Sequence, residues 1–343
     1  MTDSSLPPHR RRVRYKGKNP RRFEEKYKEL SPEKYPDAVA KVLASGKTPA
    51  GTHRPIMVEE ILEVLNLQAG QIAVDCTLGF GGHSQEMLRR LQPGGRLIGL
   101  DADPIELPKT EERLRAAGFG EDVFRTYRAN FAGLLRVLQQ EGLAGVDGIL
   151  ADLGVSSMQI DTPARGFSVK ASGPLDMRMN PNKGKSASAL LAGITAVELA
   201  ELLIENADEP RAELLARHLA GRQFATTTAL GEAIQKALGT RGEDERKKSV
   251  RRVFQALRVA VNEEFAALES LLRNLPLCLK AGGRVAILTF HSGEDRRVKK
   301  AFQQGLREGL YAEISPDALR PTAEECRANT RATPAKLRWA RRL

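Results

Sequence analysis

Two segments of this chain each combine an apolar strand, a terminal carboxylate and a glycine-containing turn. In residues 74–84 the strand ends at Asp75, and the chain then turns through three glycines within four residues. In residues 146–159 an apolar run ends in an acid, Asp152, which leads into a Gly/Ser turn. Neighbouring strand ends of an open α/β sheet bind nucleotide-like ligands, and glycines let the backbone approach such ligands closely. The two segments therefore predict a nucleotide-like ligand site.

A third carboxylate limits which nucleotide-like ligands the site is expected to bind. The apolar run of residues 96–100 is followed by Asp101, and an acid about 20 residues after the glycine turn is placed to bond ribose hydroxyls. Both NAD and S-adenosylmethionine are bound in this way. The dinucleotide fingerprint is incomplete here, because Ser84 stands at its last position. A carboxylate at Asp75 would repel a pyrophosphate and attract a sulfonium, which favours S-adenosylmethionine over NAD. A strand–turn–helix without a ligand is the remaining alternative.

Six motifs, in order along the chain, make the interpretation more specific. They are Asp-x-Thr-x-Gly-x-Gly-Gly-His-Ser at 75–84, Asp-Leu-Gly-Val-Ser-Ser-x-Gln at 152–159, Arg-Gly-Phe-Ser at 165–168, Pro-Leu-Asp-Met-Arg-Met at 174–179, Phe-Gln-Ala-Leu-Arg at 254–258 and Phe-His-Ser at 290–292. Together they resemble the RsmH (MraW) family, and the match runs from residue 53 to residue 338. The resemblance implies a Rossmann-like class I S-adenosylmethionine-dependent methyltransferase with an inserted helical subdomain. It also implies methylation of N4 of a cytidine in the 16S ribosomal RNA of the small subunit. The alternatives are a methyltransferase of the same fold that acts on another RNA, on DNA or on a protein amine, and a non-catalytic ribosome-assembly protein.

The resemblance also implies a set of donor-binding residues. They are Gly81, Gly82, His83, Asp101, Phe131, Asp152 and Gln159. Phe131 is expected to lie against the adenine, and His83 either binds the methionine carboxylate or caps a helix. Asp152 either accepts a hydrogen bond from the target amine or belongs to the donor pocket, since the Asp/Asn-Pro-Pro-aromatic turn of many amino-methyltransferases is missing here.

The residues of the substrate side are less sharply defined. Asp176, Arg178, Arg252 and Arg258 are candidates for binding the substrate, although Asp176 and Arg178 are equally compatible with a structural salt bridge. His291 follows an apolar strand, so it is either a contact for the RNA or the departing proton, or a plain turn histidine. Asp152 and His291 are thus the candidate catalytic residues.

Three segments depart from the family pattern on the substrate side. Residues 206–209 read Asn-Ala-Asp-Glu where the family has Tyr-Gly-Glu-Glu, and residues 248–252 read Lys-Ser-Val-Arg-Arg where it has His-Pro-Ala-Thr-Arg. Gly293 replaces a leucine of the family's His-Ser-Leu-Glu-Asp. These departures leave the methyl donor unaffected and bear on the target base.

The elements that must position these residues follow a βαβ rhythm up to residue 159. Periodicity predicts helices over 57–65 and 83–91 and a helix start capped by Asp103. Further helices are predicted over 196–206, 211–222, 228–238 and 297–306, with one long amphipathic helix over 254–275. Strands are predicted over 71–76, 96–101, 122–128, 146–151, 284–290 and, at the edge, 311–315. The predicted methyltransferase domain comprises residues 51–159 and 246–325, and residues 160–245 form a helical substrate-recognition insertion.

Charge is concentrated at the two ends of the chain. Residues 1–50 carry 13 Lys/Arg against 6 Asp/Glu, and residues 327–343 carry 6 against none, within a total of +11. Residues 1–50 are predicted to be a disordered basic arm that grips phosphates, or else a solubilising tail. Residues 326–343 are predicted to be a basic C-terminal tail. The arm is also a departure from the family, whose members usually begin near residue 53.

Composition excludes several other classes of protein. The 3 cysteines are unevenly spaced and offer neither a disulfide framework nor a metal cluster. No apolar run approaches the ~20 residues that a membrane-spanning helix needs, and the basic N-terminus lacks the apolar core of a signal peptide. The sequence therefore predicts a cytoplasmic protein without a metal, and it assigns no oligomeric state.

Overall fold

A seven-stranded sheet forms the centre of the computed structural model, which describes residues 55–343. The predicted basic arm, residues 1–50, lies outside the described residues. The strand order is β3-β2-β1-β4-β5-β7-β6. Strands β1 to β5 run parallel to one another, and β7 is antiparallel to both β5 and β6. The strands are β1 Ile72–Asp75, β2 Arg96–Asp101, β3 Phe124–Arg128, β4 Val146–Asp152, β5 Leu279–Thr289, β6 Tyr311–Ile314 and β7 Lys336–Arg342.

The central strands are apolar because helices cover both faces of the sheet. Successive side chains point to opposite faces, so Val74 and Ile149 lie in one hydrophobic cluster while Ala73 and Leu150 lie in the other. The predicted βαβ order is confirmed up to β4, as is the edge strand β6. The predicted Rossmann-like α/β fold is therefore confirmed.

The helices connect and cover these strands. In the described part of the chain, no helix is long and apolar enough to cross a membrane. The helices are α1 Val58–Leu65, α2 Gly82–Leu91, α3 Glu106–Ala116, α4 Leu134–Gln140, α5 Ser157–Asp161, α6 Ala187–Gly193, α7 Ala196–Ala207, α8 Ala212–Leu219, α9 Thr227–Leu238, α10 Glu243–Val261, α11 Glu264–Cys278, α12 Ser292–Arg307 and α13 Ala323–Ala328.

Helices α6 to α10 surround a third hydrophobic cluster that is separate from the two sheet clusters. It is built from residues such as Leu199, Leu215 and Leu230, together with Val253 and Leu257 of α10, all nearly fully buried. These helices fall largely within the segment 160–245 that was predicted to be an insertion, and they pack around a core of their own. This core extends beyond the predicted boundary at residue 245, because α10 contributes one face to it.

The prediction of one long helix over residues 254–275 is wrong. Two helices, α10 and α11, occupy this region, and the chain changes direction between them. Glu263 has a φ of 51°, in the left-handed region, so the helical hydrogen-bond ladder cannot continue through it. The apolar spacing continues across the break because both helices bury one face.

The prediction that residues 326–343 form a basic tail is also wrong. Residues 336–342 form β7, which lies inside the sheet between β5 and β6. Leu337 and Ala340 are fully buried. Asp295 neutralises two of the cations, with its oxygens 2.9 Å from Lys336 Nζ and 2.7 Å from Arg338 Nε. The positive charge that suggested a tail is therefore partly paired within the fold.

Leu337 provides a test of this correction. We expect Leu337→Ala to lower the free energy of unfolding by about 2–5 kcal/mol, because it opens a cavity at a fully buried position. The matched control is Arg341→Ala in the same strand, which removes a surface ion pair with Glu313 and should cost less than about 1 kcal/mol. Denaturant unfolding followed by circular dichroism measures both. Equal, small losses would show that the segment behaves as a tail.

Candidate active site

Three carboxylates meet at one edge of the sheet. Asp75, Asp101 and Asp152 are the last residues of β1, β2 and β4. These strands are adjacent and parallel, with β1 in the middle, so their carboxyl ends lie side by side. The carboxyl edge of such a sheet is where ligands bind in open α/β folds.

The turn after β1 depends on glycine at two positions. Gly81 has a φ of 78°, and a Cβ there would lie 2.8 Å from Thr110 Cγ2. A Cβ on Gly82 would lie 2.4 Å from Pro55 Cγ. Helix α2 begins at Gly82 and has no side-chain cap, so its first N–H groups are available to an anionic ligand group.

Helix α3 holds this glycine turn from behind. Thr110 Oγ1 donates to the carbonyl of Gly79 at 2.5 Å, and Arg113 donates to the carbonyl of Phe80. The Arg113 guanidinium also lies 3.4 Å from the centre of the Phe80 ring. Sequence reasoning missed Thr110 and Arg113, because nothing in the local pattern of α3 marks which of its residues reach the turn.

Asp75 also faces the turn. It is buried, and its two oxygens accept hydrogen bonds from Ser84 Oγ at 2.6 Å and from the N–H of Thr77 at 3.0 Å. Burial raises the pKa of Asp75, and the bond from Ser84 opposes that shift. Asp75 therefore holds the turn through these hydrogen bonds, and it acts on a ligand only by long-range electrostatic attraction or repulsion.

Asp101 is oriented by the backbone on both of its oxygens. Oδ2 accepts from the N–H of Gly79 at 2.7 Å, and Oδ1 accepts from the N–H of Asp103 at 2.8 Å. Burial raises the pKa of Asp101 to about 6. Each oxygen keeps a further acceptor site, so the pair fits the two hydroxyls of a ribose.

Asp103 caps the first turn of helix α3 as predicted: its Oδ1 accepts from the N–H of Ile105 at 2.9 Å, and its carbonyl accepts from the N–H of Leu107 at 3.2 Å. The regular part of the helix begins at Glu106, directly after Ile105. Asp103 is buried, and its Oδ2 accepts from Gln159 Nε2 and Arg165 Nη1, both at 2.8 Å. The other end of the Gln159 amide accepts from the N–H of Ser156 at 3.0 Å. Gln159 thus has both ends of its side chain bonded within the wall of the site.

His83 and Asp152 face each other across the site. His83 Nε2 lies 3.0 Å from the carbonyl of Ile56, so Nε2 carries the hydrogen, and Nδ1 lies 3.6 Å from Asp152 Oδ2. Gly81 rather than His83 occupies the N-cap of α2, so the alternative of a capping histidine is wrong. Phe131 begins a short 3₁₀ turn after β3 and packs, half-buried, against the sheet core.

Asp152, like Asp101, is partly exposed, whereas Asp75 is buried. The N–H of Asp152 donates to Thr77 Oγ1 at 2.7 Å, which ties β4 to the turn after β1. Its side chain is 29% exposed. Burial raises the pKa of Asp152 to about 6, opposed by the charge of His83. An ionised Asp152 can therefore accept a hydrogen bond, and later a proton, near neutral pH.

His291 lies near the end of β5 but is more enclosed. Its Nε2 lies 3.2 Å from Glu294 Oε1, and its ring packs against Phe265 at 5.7 Å. Although burial opposes ionisation, the hydrogen bond from His291 and the charge of Arg258 lower the pKa of Glu294. A Cβ on Gly293 would lie 2.6 Å from Phe265 Cζ, so this departure from the family makes room for the aromatic ring.

Two of the predicted substrate residues are joined in a salt bridge. Arg178 pairs with Asp176 through Nε and Nη2, both at 2.7 Å, and both side chains stay partly exposed. Although partial burial opposes ionisation, the bonds from Arg178 lower the pKa of Asp176. The pair is therefore a structural salt bridge, and Arg178 keeps an accessible edge.

The other two substrate candidates lie on α10. Arg258 pairs with Glu264 through Nε and Nη2, both at 2.8 Å, and its Nη1 lies close to Gly154 at the end of β4. Arg252 lies 3.9 Å from the buried carboxylate of Glu209 and is 39% exposed. Arg258 therefore adjoins the strand ends, and Arg252 lies beside the insertion.

The sheet and its carboxyl edge define a class of protein, the Rossmann-like α/β methyltransferases, in which the carboxylate after β2 is placed to bond the ribose of a methyl donor. The chain belongs to the MraW methylase family, whose model matches residues 50–343. The predicted family and methyltransferase class are confirmed, and so is the predicted cofactor, S-adenosylmethionine, over NAD.

Relatives match this chain over most of its length. A protein of Alkaliphilus metalliredigens named ribosomal RNA small subunit methyltransferase H 2 is 52% identical, over 98% of this chain and 99% of its own. One of Lachnoclostridium phytofermentans named ribosomal RNA small subunit methyltransferase H 1 is 51% identical, over 99% and 94%. One of Carboxydothermus hydrogenoformans named ribosomal RNA small subunit methyltransferase H is 40% identical, over 85% and 98%.

These alignments bear on the basic arm. Coverage of 98% and 99% of this chain includes most of residues 1–50. The arm is therefore shared with these two relatives, so it is not peculiar to this chain. The relative aligned over 85% of the chain agrees with the expectation that other members begin later.

The environment of Asp101 predicts a pH-dependent donor affinity. Below pH 6 the carboxylate is protonated and loses acceptor capacity, so we expect the Kd for S-adenosylmethionine to rise as the pH falls through that value. Asp101→Asn should weaken binding by about 1.5–3 kcal/mol at pH 7.5 and remove most of the pH dependence. Calorimetric titration measures both, with Asp122→Asn on an exposed turn as the matched control. A pH-independent wild-type Kd would contradict this role.

The buried charge of Asp152 predicts a stabilising substitution. Burial raises the folded-state pKa of Asp152 from its ordinary value of 3.8 to about 6, so ionised Asp152 destabilises the fold above pH 6. Since 29% of the side chain remains in water, we expect Asp152→Asn to stabilise the ligand-free protein by about 1–2 kcal/mol at pH 7.5. The gain should shrink as the pH falls from 6 towards 4, where wild type is protonated too. Thermal unfolding at several pH values would reveal it, and destabilisation at pH 7.5 would contradict it.

Proposed function

We propose that this protein transfers the methyl group of S-adenosylmethionine to N4 of a cytidine in 16S ribosomal RNA within the small ribosomal subunit. The observation that carries the proposal is full-length identity of 52% and 51% to proteins named ribosomal RNA small subunit methyltransferase H. The arrangement at the carboxyl edge of the sheet supports it independently, because it offers a donor pocket beside a partly exposed carboxylate.

The residues around the glycine turn fit the methyl donor. Asp101 would accept hydrogen bonds from its ribose hydroxyls, and Phe131 would lie against its adenine. The N–H groups at the uncapped start of α2, where His83 stands, would bind its methionine carboxylate. When bound, the donor supplies an electrophilic methyl group on a sulfonium. Gly81 and Gly82 allow the turn to keep its path beside the donor, because a side chain at either position would collide with Thr110 or with Pro55.

Asp152 is the residue we assign to the target amine. The N4 lone pair of cytosine is delocalised into the ring, so the site must orient the amine with a hydrogen-bond acceptor. Asp152 provides a partly exposed carboxylate that is largely ionised above pH 6. It would hold the amine in line and take a proton after the methyl group is transferred. His291 is more enclosed and already contacts Glu294, so we assign it no direct part in the transfer.

Cationic side chains near these strand ends would hold the RNA. Arg258 presents Nη1 beside Gly154, and Arg178 and Arg252 are partly exposed. These groups suit phosphates or the acceptor edge of a base. A target base must leave its stack to reach the site, so we propose loop RNA of the small subunit, in the cytoplasm, as the substrate. By the same reasoning residues 1–50 would add contacts to phosphates.

Nucleoside mass analysis tests the proposed function. Cells that lack the gene should lack one N4-methylated cytidine in 16S ribosomal RNA, and the wild-type gene should restore it. Purified Asp152→Asn should methylate small subunits from the deleted strain at least about 100-fold more slowly, because an amide cannot take the proton that the methylated amine must lose. Glu245→Gln, a surface change on α10, is the matched control.

Each other outcome has a defined meaning. An unchanged methylation pattern in cells without the gene would favour a non-catalytic ribosome-assembly protein. Loss of a methyl group at another nucleotide would retain the enzyme and change its target. Full activity of Asp152→Asn would remove Asp152 from the mechanism while leaving the substrate assignment intact.

A further inference from the structure

One arginine side chain joins the donor side of the site to the loop that carries Asp176 and Arg178. Arg165 Nη1 donates to Asp103 Oδ2 at 2.8 Å, and Nη2 donates to the carbonyls of Arg178 at 3.2 Å and Met179 at 2.8 Å. The Arg165 side chain is 11% exposed and that of Asp103 is 1% exposed. The contact is thus buried and weakly screened by solvent.

On the donor side, a single hydrogen bond connects Asp103 to Asp101. The N–H of Asp103 donates to Asp101 Oδ1 at 2.8 Å, and Asp101 is the residue assigned to the ribose. Asp103 also accepts from Gln159 at 2.8 Å, which fixes its carboxylate against α5. A ligand that orders Asp101 therefore orders the turn that presents Asp103 to Arg165.

The loop at the other end is held in a strained conformation. We define the substrate loop as residues 173–180. Met177, which is fully buried, has a φ of 64°, in the left-handed region that side chains other than glycine rarely adopt. Its N–H donates to the carbonyl of Arg165 at 3.1 Å, and its carbonyl accepts from Asn262 Nδ2 at 2.8 Å. Strain of this kind persists only where surrounding contacts impose it.

The substrate loop and the turn that carries Arg165 are packed as one unit. A Cβ on Gly166 would lie 2.2 Å from the carbonyl oxygen of Pro174, and a Cβ on Gly173 would lie 1.8 Å from that of Pro163. At this separation neither segment can shift without the other. Arg165 therefore holds the position of the whole substrate loop relative to the donor site.

We propose that Arg165 is a positioning residue that couples the two substrates: a bound donor stabilises the strained substrate loop through Asp101, Asp103 and Arg165, and so tightens binding of the RNA. The inference rests on the proposed function, which supplies the RNA. Coupling of this kind is reciprocal, so RNA must tighten the donor by the same factor. The donor, or the product S-adenosylhomocysteine, then favours the RNA-binding state of the loop.

Hydrogen exchange of the wild-type protein is the first test, because it needs neither a variant nor RNA. Saturating S-adenosylhomocysteine should slow amide exchange in peptides that cover residues 174–180 at least threefold. Peptides that cover α8, which shares no contact with Arg165, are the internal control and should not change. Slower exchange at the glycine turn with unchanged exchange at the substrate loop would overturn the proposal.

Affinity for RNA is the second test. The probe is the small ribosomal subunit from cells that lack the gene, titrated with and without S-adenosylhomocysteine. We expect the cofactor product to tighten wild-type binding at least about 5-fold and Arg165→Met binding less than twofold. Arg217→Met, an equal loss of charge on the exposed face of α8, is the matched control and should behave like wild type.

The outcomes separate this inference from the proposed function. If S-adenosylhomocysteine fails to bind, or if subunits fail to bind in any condition, the proposed function is wrong. If both bind wild type without mutual effect, or if Arg165→Met keeps the full effect, only the coupling is wrong. Should Arg165→Met fail to fold, the wild-type exchange and titration still decide the question.

Discussion

The turn at the end of β2 is the constraint on which the site depends. Its two carboxylates face different partners: Asp101 accepts from the glycine turn at Gly79, while Asp103 accepts from Gln159 and Arg165. The N–H of Asp103 binds Asp101, so neither carboxylate moves alone. One short turn thereby fixes the glycine turn on one side and the substrate loop on the other. Asp103 also caps the start of α3, since its Oδ1 accepts from the N–H of Ile105 while its Oδ2 accepts from Arg165.

The same edge of the sheet carries an electrostatic cost. Burial raises the pKa of all three strand-end carboxylates, and the negative charge of Asp75 raises the pKa of Asp101 and of Asp152 further. Such charges destabilise the ligand-free fold, which is the usual relation between an active site and stability. A cationic ligand relieves this repulsion, whereas a pyrophosphate would add to it. The preference for a cationic ligand, which the sequence analysis deduced from Asp75 alone, thus applies to the whole carboxyl edge of the sheet.

The local sequence predicts which residues form these strands and turns, but it predicts fewer of their contacts with residues that are distant in the chain. The runs that end at Asp75, Asp101 and Asp152 were predictable because apolar strands, glycines and acids stand next to each other in the chain. Strand β7 was not predictable, because the cations around Leu337 and Ala340 make the segment look like an exposed tail. Two of these cations pair with Asp295, some 40 residues earlier, and no local pattern indicates that pairing. The bond between Arg165 and Asp103 spans 62 residues and left no local signal. For the same reason nothing indicated the helix break, which occurs at Glu263 and not at a glycine.

The departures from the family pattern form a connected set in the structure. Asp208 bonds Ser292 Oγ at 2.9 Å and Arg296 at 3.0 Å, which joins the end of α7 to the start of α12. Ser249 bonds Glu209 at 3.0 Å, which joins α10 to the same corner of the insertion.

Gly293, one residue beyond Ser292, leaves room for the Phe265 ring beside His291. The residues that differ from the family therefore lie where the insertion meets the sheet domain, with Asp208 bonded to α12 and Ser249 bonded to Glu209 beside it. They leave the carboxyl edge of the sheet, where the donor residues stand, with the arrangement that the family motifs predict.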